Sequence, residues 1–276
     1  MEKPLVIYHG NCADGFGAAW VFKTRAKFEC EFLAGVYQTP PPDVTGRAVY
    51  LVDFSYKRET VEKMLEQSLG ITLIDHHKTA IEDLDPLIKN CSIEAYTDMD
   101  KSGATLAWEY LHDGNRIHMP KLLEHIEDRD LWKFLLPKTR EIQANIFSHP
   151  YDFDVWSKLM ETDPAVLAIE GAAIERKHHK DIAELLAVCK RRITIAGYTV
   201  WGASLPYTLT SDAGHAMAVG EPFAVCYWDT PETRVFSLRS TEEGIDVSEI
   251  AKKFGGGGHK HAAGFSVSRN HPLAMV

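Results

Sequence analysis

The chain has 276 residues, of which 45% are hydrophobic and 25% are charged, and this composition is that of an ordinary globular protein. The length favours two domains over a single core. The formal net charge of −9 argues against a broad basic surface for nucleic acid, although a few local cations or carboxylate-held metal ions could bind a short phosphate-bearing substrate.

The apolar segments and the cysteines of the chain bear on its cellular compartment and redox state. No apolar stretch reaches the length of a membrane span, and the first residues lack the apolar segment of a signal peptide. We therefore expect a cytoplasmic protein with no membrane partner. The five cysteines are odd in number and show no CxxC spacing, so they indicate neither a disulfide framework nor a thiolate zinc site.

The first part of the chain alternates predicted strands and helices. The apolar runs predict strands at 5–8, 48–52 and 71–74, and helical spacing predicts helices at 15–25, 56–67, 103–111 and 119–130. This alternation predicts an α/β fold, in which a parallel sheet is covered by helices on both faces.

The middle and the end of the chain have a different pattern. Two helices are predicted at 164–175 and 178–193, and then strands at 198–203, 223–228 and 234–238 and a helix at 247–254. We therefore predict two domains. The first covers 1–190 and includes a helical connector from about residue 155, and the second is a smaller α/β domain at 191–276.

Acidic residues and histidines follow the three strands of the first part. They are His9, Cys12 and Asp14 after the first strand, Asp53 after the second, and Asp75, His76 and His77 after the third. A single aspartate after a strand is usually a turn residue. However, the carboxyl ends of neighbouring parallel strands converge on one crevice, so three such strand ends together predict a metal site.

Aspartate and histidine without thiolate pairs suit divalent ions. Mn²⁺ fits well, and magnesium, iron, cobalt and zinc ions are open alternatives. Two ions about 3.5–4 Å apart with a bridging carboxylate could activate a water and hold a phosphate. The run HIEDRD at 125–130 offers a further ligand, and its spacing leaves Asp128 and Asp130 equally open.

A run of four glycines, 255–258, precedes His259 and Lys260 near the end of the chain. Ordering four glycines costs much conformational entropy, which makes sense where backbone N–H groups approach an anion such as phosphate. Arg239 could add positive charge. The alternative is a flexible hinge, against which the regular continuation HAAGFSV argues.

Five motifs occur in order: YHGNCADGFGAAW, LVDFS, LIDHHKTA, EDRDLW and GGGGHKHAAGF. Together they resemble the DHH phosphoesterase superfamily, in which a DHH domain precedes a smaller DHH-associated domain, and the resemblance covers nearly the whole chain. It implies a two-metal phosphoesterase, typically manganese-dependent, that works in a cleft between its domains. Because many members pair up, it also raises the prospect of a homodimer.

The resemblance further implies roles for individual residues. The implied metal ligands are His9, Asp14, Asp53 as the bridge, His76 and Asp128. The implied catalytic residues are Asp53, Asp75, which would orient His76, and His77, which would contact the phosphate or assist the leaving group. The implied substrate-binding residues are His77, Arg239, Gly256, Gly257, Gly258 and His259. Cys12 departs from the pattern, since an aspartate often stands there, and its role as a ligand is open.

The expected reaction is hydrolysis of a phosphodiester in a short oligonucleotide, nanoRNA or dinucleotide, to mononucleotides. A chain of this length and charge has no obvious basic channel for a long strand. The alternatives are a cyclic nucleotide or dinucleotide phosphodiesterase, a single-strand-specific exonuclease and, in a different class, a non-catalytic nucleotide-binding sensor.

Overall fold

The computed structural model describes residues 2–275 and divides the chain into two compact units, Met1–Glu175 and Arg176–Val276. The dividing point falls inside one long helix, Pro164–Cys189. The predicted α/β class is confirmed for the chain, while the predicted domain boundary at residue 190 stays a prediction. Among the helices of residues 2–275, none combines the length and apolar character needed to cross a membrane.

The first unit is built on a five-stranded sheet. Its strands are β1 Leu5–His9, β2 Glu31–Gly35, β3 Ala48–Val52, β4 Gly70–Asp75 and β5 Glu94–Thr97. Its helices are α1 Ala13–Arg25, α2 Arg58–Leu65, α3 Lys78–Lys89, α4 Gly103–Leu111, α5 Lys121–Asp130, α6 Thr139–Ile146, α7 Phe153–Glu161 and the first part of α8 Pro164–Cys189.

Both faces of this sheet are covered, as the sequence predicted. Alternate side chains of a strand point to opposite faces. In β1, Val6 packs into a core with Phe16 of α1 and Trp108 of α4, whereas Ile7 packs into the opposite core with Met64 of α2. The sheet is therefore buried on both sides, which explains why its central strands are continuous apolar runs.

The strand order is β2-β1-β3-β4-β5, and every neighbouring pair is parallel. After β1 the chain crosses to one side to form β2, and it then returns to the other side of β1 to form β3. The order thus reverses between β1 and β3, and such a reversal opens a crevice at the carboxyl ends of these two strands. His9 ends β1 and Asp53 follows β3, so the topology brings them to this crevice.

The second unit has a six-stranded sheet and two short helices besides the end of α8. The strands are β6 Arg191–Ile195, β7 Tyr198–Ser204, β8 Ala224–Asp229, β9 Thr233–Arg239, β10 Gly257–Gly258 and β11 Ala262–Ser268. The helices are α9 Thr210–Ala218 and α10 Val247–Lys252. The order is β10-β11-β9-β8-β7-β6, with β7 and β8 parallel and the other pairs antiparallel.

Most predicted elements are confirmed, and two kinds of difference stand out. The prediction of separate helices at 164–175 and 178–193 was wrong, because α8 runs unbroken to Cys189 and Ile193 lies in β6. The stretch 175–180 contains neither proline nor glycine, so it carries no signal that would stop a helix. Several elements were not predicted, namely α3, α6, α9, β2, β5, β6, β10 and β11. Of these, β2 and β5 are sheet edges with largely exposed or half-buried residues and therefore lack a buried-strand pattern.

Candidate metal centre

Asp53 occupies the crevice between β1 and β3 and is 1% exposed. Its φ of +53° is a left-handed conformation that is uncommon for a residue other than glycine. The backbone N–H of Asp53 donates to the carbonyl of Ile74 at 2.9 Å, which fixes the turn against β4. A strained backbone that is held by its surroundings is typical of functional sites.

The two carboxylate oxygens of Asp53 face different partners. Its Oδ1 lies 3.2 Å from Nε2 of His76, and its Oδ2 lies 3.5 Å from Nδ1 of His9. A carboxylate whose oxygens face two imidazoles at the ends of different strands is placed to be shared between two sets of ligands.

Two of the possible ligand sets in residues 2–275 lie around this carboxylate and share no residue with each other, and in each of them the ligand atoms lie within 4.8 Å of one another. The first set is His9, Cys12 and Asp53, and the second is Asp14, His76 and Asp130. Asp53 Oδ1 lies close to His76, so this carboxylate connects the two sets. The structure thus brings together four of the five residues predicted as metal ligands.

Asp128 is the fifth, and it does not lie in any of the ligand groups formed by residues 2–275. Its oxygens accept hydrogen bonds from the backbone N–H groups of Leu135 and Leu136 at 2.7 and 3.0 Å and from the Thr139 hydroxyl at 2.6 Å. Asp130, which spacing had left as the alternative, lies with its Oδ2 3.4 Å from Nε2 of His76. The geometry therefore favours Asp130 as the ligand and gives Asp128 the task of holding the chain after α5.

Asp14 is held by the N-terminus of α4. Its Oδ2 accepts from the N–H of Gly103 at 2.5 Å and its Oδ1 from the N–H of Ala104 at 2.9 Å. A Cβ on Gly103 would lie 2.5 Å from Cβ of Asp53, so only glycine lets α4 come this close to both carboxylates. The sequence analysis missed Gly103, because a contact between residues so far apart in the chain leaves no local pattern.

Asp75 is fully buried and acts on His77 more than on His76. Its Oδ1 lies 2.7 Å from Nδ1 of the His77 ring, and it also accepts from the backbone N–H groups of His76 and His77 at 2.8 and 3.2 Å. The family pattern implied that Asp75 orients the ring of His76. In this structure the ring that Asp75 orients is that of His77, while the ring of His76 faces Asp53 and Asp130.

The charges of this cluster depend on one another. Burial alone would raise the pKa of Asp53, but its contacts with His76 and His9 outweigh burial and hold that pKa below the usual range. Burial would lower the pKa of His76, but the surrounding carboxylates raise it to about 10. For Asp14, burial and the negative charges of Asp53 and Asp130 both raise the pKa. Carboxylates this close together repel one another unless additional positive charge lies near them.

The donor atoms fit divalent metal ions. Within residues 2–275, His9 Nδ1 and Asp53 Oδ2 are buried atoms that form no hydrogen bond, although they face each other. Buried polar atoms normally have a hydrogen-bond partner or a bound ion, so two such atoms in one crevice indicate a binding site for a cation. Cations placed among these imidazoles and carboxylates would satisfy both atoms and offset the negative charge.

Tyr37 was not selected from the sequence, yet it lies beside this cluster. Its ring centroid is 5.2 Å from that of His9 and 4.9 Å from that of Phe54, and the residue is 45% exposed. It follows β2, the edge strand that the sequence analysis also missed. An exposed aromatic ring beside this cluster offers a surface on which another planar ring could stack.

The glycine run lies in the second unit and has a structural explanation there. Gly257 and Gly258 form β10, and the N–H groups of Gly256 and His259 donate to the carbonyls of Ala251 and Ala262. A Cβ on Gly256 would lie 2.1 Å from the carbonyl oxygen of Gly264, and Gly258 has a φ of +136°. The glycines therefore permit close packing, and the N–H groups of Gly256 and His259 are directed to protein carbonyls.

Arg239 lies at the end of β9, as part of the same unit. Its Nη1 donates to the Ser237 hydroxyl at 3.0 Å and to the Leu238 carbonyl at 2.8 Å, and its Nη2 donates to the Ser211 hydroxyl at 2.9 Å. These bonds fix the guanidinium against its own sheet. The substrate-binding role of Arg239 and of the glycine run stays a prediction.

Comparison with known proteins gives two kinds of sequence match. The DHHA1 domain family model matches residues 216–273, within the second unit. An uncharacterized protein, R106, of Acanthamoeba polyphaga mimivirus is 30% identical over 297 residues, which cover 97% of this chain and 68% of the viral protein. Oligoribonuclease NrnB of Bacillus subtilis is 23% identical over 245 residues, which cover 80% of this chain and 59% of that protein.

Solved structures show more distant likeness. A pGpG-specific phosphodiesterase, PggH, of Vibrio cholerae has 14% identity and a TM-score of 0.48, with 97% of this chain and 94% of that chain covered. An exopolyphosphatase-related protein of Bacteroides fragilis has 12% identity and a TM-score of 0.44, with coverage of 95% and 86%. The DHHA1 match in the second unit and the DHH motif residues gathered in the first lead to one conclusion: the chain belongs to the DHH phosphoesterase superfamily.

Proposed function

We propose that the protein is a two-metal phosphodiesterase that hydrolyses short oligonucleotides, such as dinucleotides, to mononucleotides, with Mn²⁺ as the ion used. Its family makes it a phosphoesterase, which leaves the non-catalytic sensor without support. The observation that carries the two-ion proposal is Asp53, whose buried carboxylate directs one oxygen toward His9 and the other toward His76.

Each residue of the cluster has a proposed task. His9 and Cys12 on one side, and Asp14, His76 and Asp130 on the other, would hold the ions that Asp53 bridges. When bound, such ions activate a water and neutralise charge on the phosphate.

His77 has a separate proposed task at the phosphate. Its Nδ1 is engaged by Asp75, which fixes the ring so that Nε2 can serve the phosphate or protonate the leaving oxygen. This arrangement follows the common logic in which a carboxylate orients a histidine.

The proposed substrate is short because of the charge of the chain. A net charge of −9 disfavours binding along many phosphates, whereas a metal centre can bind one or two. The name of the Bacillus subtilis relative, an oligoribonuclease, agrees with this choice, but the chain spans only 59% of that protein, so the substrate is a proposal. A cytoplasmic location and a homodimer likewise stay predictions.

A substrate panel tests the proposal. The protein is freed of metal with a chelator, reloaded with Mn²⁺, and incubated with a linear dinucleotide such as pGpG, a cyclic dinucleotide, a long single strand and polyphosphate. We expect the linear dinucleotide to give the highest kcat/KM and a mononucleotide product. Preferred turnover of the long strand or of the cyclic compound would favour the exonuclease or the cyclic dinucleotide phosphodiesterase, and turnover of polyphosphate alone would refute a phosphodiesterase.

A matched pair of variants links the reaction to the cluster. His76→Asn removes the imidazole from the metal centre, whereas His178→Asn removes an imidazole that contacts Asp212 in the second unit. We expect loss of turnover in the first variant and unchanged turnover in the second. Equal activity of the two variants would separate the reaction from this site.

A further inference from the structure

The two sets of ligands differ in their chemistry. The set of Asp14, His76 and Asp130 offers one imidazole and two carboxylates, and these are hard or borderline donors. The set of His9, Cys12 and Asp53 offers an imidazole, a sulfur and the shared carboxylate. Sulfur is a soft donor that favours zinc, cobalt or iron over manganese and magnesium.

Cys12 is well placed for metal ligation. It is the N-cap residue of α1, a helix of 13 residues, and its side chain makes no capping hydrogen bond. The thiol is free and half-buried, and its sulfur lies within 4.8 Å of the ligand atoms of His9 and Asp53.

A second observation points to an ion at the same place. Oδ2 of Asp53 belongs to a side chain that is 1% exposed, and in residues 2–275 this oxygen forms no hydrogen bond. Nδ1 of His9 is likewise buried and without a hydrogen bond in that range. These two atoms and the sulfur of Cys12 form three corners of a site that a cation would complete.

We propose that Cys12 binds the ion at the His9–Cys12–Asp53 position through its sulfur, and that the centre therefore holds unlike ions. The sulfur-containing position takes Zn²⁺, Co²⁺ or Fe²⁺, and the Asp14–His76–Asp130 position takes Mn²⁺ or Mg²⁺. As the metal–sulfur bond forms, the thiol releases its proton to solvent, and no electron is transferred. The inference rests on the proposed two-ion centre. It limits Mn²⁺ to one of the two positions when Zn²⁺, Co²⁺ or Fe²⁺ is available, whereas a protein loaded with Mn²⁺ alone would hold Mn²⁺ at both.

Cobalt provides the test, because Co²⁺ bound to a thiolate shows a charge-transfer absorption in the near ultraviolet that oxygen and nitrogen ligands do not give. The metal-free protein is loaded with Co²⁺ without oxygen, and bound cobalt is counted by elemental analysis. We expect two ions per chain and a charge-transfer band in the unaltered protein. The band should be lost in Cys12→Ser and kept in Cys91→Ser, a control at an exposed cysteine.

A competition experiment tests the selectivity. Because most sites bind Zn²⁺ more tightly than Mn²⁺, Zn²⁺ is limited to one equivalent per chain and Mn²⁺ is in large excess. The unaltered protein should then hold about one of each ion per chain. The variant Cys12→Asp supplies an oxygen ligand instead, and its preference for Zn²⁺ over Mn²⁺ should fall by at least about tenfold. Even a residue that only hydrogen-bonds to a metal ligand contributes about that factor to metal affinity. This second variant also keeps the test valid if Cys12→Ser does not fold.

The outcomes separate the inference from the proposed function. Two bound cobalt ions without a charge-transfer band, or a band that survives Cys12→Ser, would overturn sulfur ligation while leaving the two-ion phosphodiesterase intact. Fewer than two bound ions in a folded protein would instead overturn the two-ion centre itself.

Discussion

The substitution Gly103→Ala tests whether the close approach of α4 to the metal centre matters. The added Cβ would lie 2.5 Å from Cβ of Asp53 and 3.0 Å from Oδ2 of Asp14. Carbon atoms in contact stay about 3.5 Å apart, so Asp53 or the start of α4 would have to move by about 1 Å. Both carboxylates belong to the proposed ligand sets, so both ion positions would be distorted.

The expected magnitudes follow from this displacement. Overpacking of this kind costs about 1–3 kcal/mol of folding free energy. At about 2–4 °C per kcal/mol, the Tm should fall by roughly 2–12 °C. A misplacement of about 1 Å at a catalytic centre costs on the order of a hundredfold in rate, so we expect kcat/KM with Mn²⁺ to fall by about that factor.

A matched glycine separates the two effects. Gly46 has a φ of +66°, and no atom lies within 4 Å of the position that a Cβ would take there, so Gly46→Ala strains the backbone without touching another group. That strain costs about 1–2 kcal/mol, a loss similar to the one expected at Gly103. Thermal melts and kcat/KM measured for both variants should show loss of stability in each and loss of activity in Gly103→Ala alone. Normal activity of a folded Gly103→Ala would refute the argument that this contact positions the carboxylates.

The remaining predictions concern the ligands and the substrate. Asp130→Asn should weaken Mn²⁺ binding by at least about tenfold, as measured by titration calorimetry. Asp128→Asn should leave Mn²⁺ binding nearly unchanged but destabilise the fold by about 1–3 kcal/mol in thermal melts, because a buried carboxylate loses hydrogen bonds. The reverse pattern would show that Asp128 is the ligand. Saturating Mn²⁺ at about 100 times its Kd should stabilise the protein by about 2.7 kcal/mol, and Asp53→Asn should abolish most of this shift in Tm. Tyr37→Ala should raise KM for a dinucleotide by about 5–150-fold, the equivalent of about 1–3 kcal/mol of stacking, and should not change KM for bis(4-nitrophenyl) phosphate; an equal effect on both substrates would rule out stacking on a base.

The three central strands of the first unit could be predicted because their apolar sequences agree with the positions that the fold gives them. β1, β3 and β4 are apolar runs, and each ends at or is followed by a polar residue that the fold places at the same edge of the sheet. The parallel order follows from alternating strands and helices. The edge strands β2 and β5 carry no such signal, because partly exposed positions tolerate polar residues.

The glycine run of the second unit shows that one sequence motif can have more than one physical cause. Four glycines predicted backbone N–H groups directed at an anion, and this stays a prediction. The structure adds a second cause, because β11 passes so close to Gly256 that any side chain there would collide with Gly264. A glycine in a sequence indicates that another group comes close to the backbone there, or that the backbone has an unusual φ. The sequence does not show whether the group that comes close is a ligand or another strand, and only the tertiary structure distinguishes the two.

The choice between Asp128 and Asp130 shows the same limit at the metal centre. Two residues apart on a helix means about 200° of rotation, so the two carboxylates leave α5 on nearly opposite sides. Both positions fit the motif, and both side chains end up with partners: Asp128 with Thr139 and the backbone that follows α5, and Asp130 with His76. The rotation of α5 about its axis decides between them, and that rotation is set by how its apolar residues Leu122, Leu123 and Ile126 pack in the core shared with α1 and α4. The choice between Asp128 and Asp130 as the proposed metal ligand thus depends on the hydrophobic packing of the helix, so a substitution in that core should change metal affinity without touching a ligand.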